Sequence, residues 1–546
     1  RRHVHVDLLI GGFSPRTAAT WSLITLTITL FFIILLAYYS WDSFWHSLMI
    51  RETSATVWGP PVWPVKLALP FGCILLGVQL IFDIMVSANR LATEPLERRG
   101  GWRDNAFILL PVFVIFLGFS FWLLITNPLA GLIVMLLVLL FAGVPIFASL
   151  GLMGMAGLFL HFGGSLALTQ VPGIVFATLS EFTLAALPLF ILAGFVLQMS
   201  GAGEELYDLF TKWIGHLPGG LAVATILACA FFSAISISSV ACAATIGLIA
   251  LPSLMKRKYR DSFSYGVIGS GATLGIMIPP SATMILYAAV TEESMGQLMM
   301  AGLIPGIMLV VMFGIYAAIY CGRTGAYEKG EAWSWKERWK ALGRAVWALL
   351  VPVIIIVGIF SGIFTVLECG AVASLYTIIM VLARRKILTE CGVTAGFVLI
   401  IIAGALTMGR FLTLLEVPQM AMAAITGANL APWIVMVAIM FMLIMLGLFL
   451  EVASVMMITL PVLYPLITAL GFNGIWFAVL MTLNMEMALI TPPVGLNLYV
   501  IQGIARCRLA PVIGGIAPFF LIMAVGLIII YLFPQLGLFL PNLMVR

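Results

Sequence analysis

The residues of this chain that could do chemistry are few and lie inside apolar sequence. The stretch LGIMIPPS, Leu274 to Ser281, places two prolines in what otherwise reads as a membrane-spanning helix, and LITPPVG, Leu489 to Gly495, does nearly the same. Proline removes a backbone donor and clashes with the preceding turn, while lipid tolerates irregular backbone only where protein or a water-filled cavity satisfies it. Two matched breaks therefore point to a site buried within protein. There, half-helix N-termini offer partial positive charge to anions and freed carbonyls can coordinate Na⁺. A pair of kinks serving packing alone is the plainer alternative.

Polar side chains gather beside these breaks. The run SAISISS brings Ser233, Ser236, Ser238 and Ser239 together, a cluster for which a lipid-facing helix has little use. Small hydroxyl residues also serve helix packing, so both roles stay open for each serine. Intramembrane ionisable groups are functional candidates because hydrocarbon makes them costly. Glu451 in LFLEVAS and Glu486 in NMEMALITPP stand beside the second break with Asn484 and Asn497. Glu451 reads as lining a polar cavity; Glu486 reads equally as lining that cavity or as paired with a cation or set at a helix end. The candidate substrate contacts are Ser236, Ser238, Ser239, Glu451, Asn484 and Asn497. Glu181, Glu368, Arg410 and Glu416, nearer segment ends, read as interfacial or paired structural charges.

Catalysis finds no support. His3, His5, His46, His161 and His216 form no HExxH spacing, and neither a GxSxG elbow nor a P-loop occurs. Cys73, Cys229, Cys242, Cys321, Cys369, Cys391 and Cys507 are scattered without CxxC or CxxH spacing, which indicates neither a zinc site nor a disulfide framework.

The elements that must position these residues are transmembrane helices. Of 546 residues, 63% are hydrophobic and 9% charged, and the mean hydropathy is +1.17. A span needs about 20 mostly apolar residues. Such stretches recur near 19–40, 65–86, 106–126, 129–147, 298–320, 346–364, 393–409, 433–450 and 512–533. Most Lys and Arg fall in six short clusters, 1–16, 90–103, 256–260, 323–344, 384–386 and 506–508, which places those loops in the cytoplasm. Segment 333–347 alternates Trp with Lys and Arg, as a helix lying in the headgroup plane before the next span would.

Two parts separate by composition. Residues 1–100 carry two spans and end in a polar stretch, 101–127 reads as a connecting helix, and 128–546 is denser in Gly and Pro. The larger part repeats internally. FFSAISISSV, then the ALP of Ala250–Pro252, then IPPS and ILY in one half correspond to GLFLEVASV, the TLP of Thr459–Pro461, TPPVG and NLY in the other. The halves run about 128–322 and 345–546, each with a re-entrant hairpin followed by a broken helix, as in inverted-repeat transporters.

These motifs resemble a known family. SAISISSVACAATIGLIALPSLMKRKY, GATLGIMIPPSATMILYA, LGLFLEVASVMMITLPVLYPL and LITPPVGLNLYVIQGIA together resemble the large membrane subunit of tripartite ATP-independent periplasmic (TRAP) transporters over about 128–542. HVHVDLL (3–9) and VWPVKLALPFG (62–72) resemble the family's small subunit. The resemblance implies a fused chain whose residues 1–100 supply the last two of four small-subunit helices, the first two being missing from this sequence. It implies an all-α, inverted-repeat elevator fold in the bacterial inner membrane, importing a small organic acid that a periplasmic binding protein delivers, with Na⁺ as coupling ion and no organic cofactor.

Carried over by motif, one sodium site falls near Ser233 or Ser236 with Gly275, Ile278 and Pro280. The second falls near Gly447 with Ala488, Thr491 and Val494. Two departures stand out: Ala488 replaces the family's usual glycine, and TVLE, Thr365 to Glu368, replaces the usual TPTE. A binding-protein-independent dicarboxylate carrier of the same superfamily is the alternative, and a passive channel a third reading.

Overall fold

The computed structural model describes residues 15–53, 61–93, 106–179, 182–325, 327–328, 330–384, 404, 407–427, 431–448, 450, 452–492 and 495–544. The architecture is all-α. Among the described residues, seven helices are long and apolar enough to cross a membrane, or nine if each of two bent pairs counts as one span. The chain divides into two compact units.

The first unit comprises residues 1–180, 397–423 and 457–462. Its long helices Pro15–Met49 and Trp63–Thr93 pair along their length. Their connection is fixed by an isolated Thr53–Pro61 bridge and by Lys66 Nζ donating to Glu52 Oε2 at 2.6 Å. The Lys66 ammonium, helped by Ser47, holds the Glu52 carboxyl below the usual carboxylate range. Asn127 caps the helix Pro128–Phe141 by accepting from the Ala130 amide. The apolar stretch 129–147 is two helices rather than one span: the chain turns through Gly143, φ +78°, and restarts at Ile146 behind Pro145. On Ile146–His161, glycines let neighbours close in. A β-carbon at Gly151 would meet the Phe32 ring at 2.2 Å, and one at Gly157 the Phe411 ring at 2.3 Å.

The second unit comprises residues 181–396, 424–456 and 463–546, and contains the proline breaks. Helix Trp335–Phe360 begins at Ser334 in a reciprocal capping box with Glu337. It runs without interruption, so the Trp- and Lys-rich segment forms the first turns of that span and is no separate helix. Trp213 sits edge-on to both Trp335 and Trp339 there. The departure TVLE is itself a capping box. Glu368 Oε2 accepts from the Thr365 amide at 2.8 Å and from its hydroxyl at 3.0 Å, while the Glu368 amide donates to Thr365 Oγ1 at 3.3 Å. The expected span 393–409 lies mostly outside the described residues.

Candidate functional site

In the second unit, helices Gly220–Ser236 and Ser239–Lys256 form a hairpin, their arms joined where Cys242 Sγ donates to the Cys229 carbonyl at 3.4 Å. The serines build its tip. Ser238 caps the second arm by accepting from the Ala241 amide at 3.2 Å, and Ser236 Oγ donates to the Ser238 carbonyl at 3.3 Å. Between them Ile237 lies in the left-handed region, φ +57°, its amide closing on the Ser233 carbonyl at 2.9 Å. A β-branched residue there is a conformational outlier held by its surroundings. Gly194 supplies part of that constraint, since a β-carbon at this position would lie 2.5 Å from the Ile235 carbonyl oxygen.

The first break faces this tip. Helix Asp261–Gly271 tightens into a 3₁₀ turn at Leu274–Met277, and the chain restarts as Ala282–Thr291 with a 40° bend. Tightening shifts each donor by one residue: the Thr273 amide goes to Ser270 and the Ile276 amide to Thr273. Their α-helical acceptors, the Gly269 and Ala272 carbonyls, are taken up by side chains. Ser233 Oγ donates to Ala272 at 2.7 Å, and Asn497 Nδ2 donates to Gly269 at 3.3 Å. Gly275 lies against the hairpin so closely that a β-carbon would sit 2.2 Å from the Ala234 nitrogen. The Ile278 amide closes the turn on the Gly275 carbonyl at 3.1 Å. Pro280 is buried behind it, and Ser281 caps the restarted helix by accepting from the Met284 amide.

In the second half, helices Pro432–Gly447 and Val452–Ala469 flank the second tip, and Gly474–Leu489 and Leu496–Ala505 flank the second break. Thr491 Oγ1 donates to the Met487 carbonyl at 2.6 Å. Ala488, standing where glycine was expected, packs onto Gly447, at which a β-carbon would lie 2.5 Å from the Ala488 methyl. Close approach therefore persists with its glycine on helix Pro432–Gly447. Glu451 and Val494 lie outside the described residues.

Asn497 ties the halves together. Fully buried in the first turn after the second break, it accepts from Ser239 Oγ at 3.5 Å and donates to the first broken helix at Gly269. A second link missed from sequence runs from Thr482 Oγ1 to Thr283 Oγ1 at 3.5 Å and on to Ser281 at 2.8 Å. Its only signal was hydroxyl residues beside IPPS and within an apolar helix. Asn484 turns elsewhere, donating to the Met440 carbonyl at 2.9 Å with its Oδ1 unpartnered. Glu486 is buried with neither carboxyl oxygen hydrogen-bonded, so it has neither the cation partner nor the exposed helix end that the sequence allowed.

Among the described residues no three His, Cys, Asp or Glu side chains converge as metal ligands would. A cation held at these breaks would be held by carbonyl and hydroxyl oxygens, the donor set hard cations favour. The glycine-lined approach of Gly275 to Ser233–Ala234 fits such a cradle, because a side chain would fill it. The helices Ala282–Thr291 and Leu496–Ala505 start at the breaks, where the partial positive charge of a helix N-terminus favours an anion.

A family model described as "Tripartite ATP-independent periplasmic transporter, DctM component" matches residues 133–536. The chain belongs to the TRAP transporter family. The model of the DctQ component matches residues 1–90, so this TRAP chain fuses both membrane components. It is 36% identical over 379 residues to the C4-dicarboxylate TRAP transporter large permease protein DctM of Pseudomonas aeruginosa, covering 67% of this chain and 88% of that protein. The isethionate TRAP transporter permease protein DctMQ of Oleidesulfovibrio alaskensis is 31% identical, covering 76% of this chain and 66% of its own length. The sialic acid TRAP transporter large permease protein SiaM of Vibrio cholerae is 31% identical, with 74% and 96% covered. TRAP proteins are secondary transporters of the bacterial inner membrane that work with a periplasmic binding protein, and they are not enzymes.

Proposed function

We propose that this chain is a sodium-coupled importer of a small carboxylate or sulfonate, working by an elevator motion with substrate delivered by a periplasmic binding protein. The observation that carries this reading is the first break, where Gly275 packs on the Ser233–Ala234 turn and displaced carbonyls are met by Ser233 and Asn497. Backbone held open in this way inside a span is how transporters present oxygen ligands to a cation at mid-membrane. The substrate class is supported by relatives named for C4-dicarboxylate, isethionate and sialic acid, which are organic anions, and by one named for ectoine, a zwitterion that also carries a carboxylate.

The site assignments are part of the proposal. Ser233, Ser236, Gly275, Ile278 and Pro280 surround one sodium position, and Gly447, Ala488, Thr491 and Val494 the other. Ser236, Ser238, Ser239, Glu451 and Asn497 line the substrate path, and Asn484 is set aside from it because its amide is turned to the Met440 carbonyl. Residues 1–100 act as the small subunit, 101–127 as the connector and 128–546 as the large subunit.

The test is uptake by the full chain in proteoliposomes, with the binding protein encoded beside it and that protein's labelled ligand. An inward Na⁺ gradient is expected to drive accumulation that an equal choline gradient does not. Thr491→Leu is expected to lower sodium-driven uptake at least about tenfold, the effect of losing roughly 1.4 kcal/mol of ion binding, with the unfolding midpoint kept. Uptake without the binding protein would favour the independent carrier, and unchanged sodium dependence in Thr491→Leu would remove that residue from the site.

A further inference from the structure

Away from the breaks, the second unit carries a groove of about 720 Å³ that the transport reading leaves unused. It lies over the first turns of Asp261–Gly271, between helices Leu303–Thr324 and Leu509–Leu532. Its floor is aromatic: the Phe263 and Tyr320 rings stack at 4.3 Å, with Tyr316 6.0 Å from Tyr320. Pro511, Gly514 and Pro518 form one wall. At Gly514 a β-carbon would meet no heavy atom within 4 Å, so the wall opens onto free space.

Both flanking helices carry exposed apolar stripes, Ile307, Val311, Ile315 and Ile319 on one and Leu521, Val525, Ile528 and Leu532 on the other. In a membrane protein such stripes face acyl chains. Arg260 lines the groove and stands immediately before Asp261–Gly271, while Arg508 immediately precedes Leu509–Leu532 and Arg323 lies in the last turn of Leu303–Thr324. All three are exposed, and none makes an ion pair with a described residue. Among the described residues Asp261 is the single acid lining the groove. Two helix N-termini add partial positive charge at that end, and the C-terminus of Leu303–Thr324, where Arg323 sits, adds partial negative charge.

We infer that this groove binds one anionic phospholipid of the cytoplasmic leaflet, its phosphate at Arg260, Arg323 and Arg508 and an acyl chain along the Phe263–Tyr316–Tyr320 floor. A soluble anion would leave the aromatic floor unused, and a neutral lipid would leave three arginines unmatched. The volume falls within the about 300–1,000 Å³ typical of ligand pockets. Juxtamembrane Lys and Arg attract acidic headgroups, and guanidinium forms bidentate hydrogen bonds to phosphate.

Native mass spectrometry of the full chain, purified in mild detergent and titrated with dioleoylphosphatidylglycerol, tests the inference. One tightly retained copy is expected, and about tenfold weaker retention in Arg260→Ala, the effect of losing one charge-assisted contact. Gly514→Leu fills the groove where there is space for it and is expected to weaken retention at least as much. Gly118→Leu, at an equally open position on a separate helix, is expected to retain the lipid. Three outcomes would each overturn the site: equal retention of dioleoylphosphatidylcholine, displacement by glycerol 3-phosphate alone, or wild-type retention in Arg260→Ala. Arg260 is exposed, so its variant decides the matter even if Gly514→Leu unfolds.

Discussion

Ile237 shows how much the hairpin tip is held against local preference. An L-residue in the left-handed region costs about 1–2 kcal/mol, and the tip keeps it there by closing the Ile237 amide on Ser233 and packing Gly194 beneath. Ile237→Gly is therefore expected to leave the unfolding midpoint unchanged or raise stability by up to about 1 kcal/mol. Sodium-driven uptake should fall, because the tip is no longer restricted to one conformation. A midpoint that drops together with uptake would show that the isoleucine side chain, not tip geometry, matters. Asn497 and Ser239 were legible as polar residues near the breaks, but their contact spans 258 positions and no local spacing announces it. Asn484 was equally legible and is turned to Met440 instead, since a helix position specifies a direction and leaves the neighbour unspecified.

At the scale of elements, close packing without side chains sets where helices meet. Asp261–Gly271 and Leu509–Leu532 approach through Gly266 and Gly515: a β-carbon at Gly266 would lie 2.0 Å from the Gly515 carbonyl oxygen, and one at Gly515 1.7 Å from that of Ser262. Both contacts are to backbone, which cannot swing aside. Gly515→Ala is expected to destabilise the chain by about 1–3 kcal/mol, the usual cost of overpacking, whereas Gly514→Ala, one residue away and unobstructed, should be neutral. Thermal unfolding of the two variants side by side checks this, and equal midpoints would mean the helix pair tolerates separation. Gly514 and Gly515 are adjacent and alike in sequence, and only the packing shows which of them is required. The sequence also left the TVLE turn uncertain, although Thr365-x-x-Glu368 is itself a capping pattern; the side-chain roles became plain once helix Val366–Arg384 was seen to start there.

For the whole molecule, the basic clusters predict sidedness. Lys258 follows the first hairpin, and Ser361 lies in the exposed turn at the far end of Trp335–Phe360. In a chain with its native cysteines replaced, Lys258→Cys should react with a membrane-impermeant maleimide only in inverted vesicles, and Ser361→Cys only in intact cells. The reverse pattern would invert the topology drawn from the positive-inside rule. Family membership was readable because several ordered motifs run across most of the chain, and the family models match residues 1–90 and 133–536.

The sequence by itself determined the class of this protein, its membrane residence, the positions of both breaks and the serines of the first tip. Hydropathy, proline chemistry and charge asymmetry are local properties, each readable within a window of a few turns. Only the tertiary structure decided which carbonyls the first break displaces and which side chains receive them, that the close-contact glycine of the second half is Gly447 on helix Pro432–Gly447, and that an aromatic groove opens beneath Arg260. Those features depend on backbones meeting across hundreds of positions, where ångström-scale packing between helices, rather than the pattern along any one of them, fixes the partner.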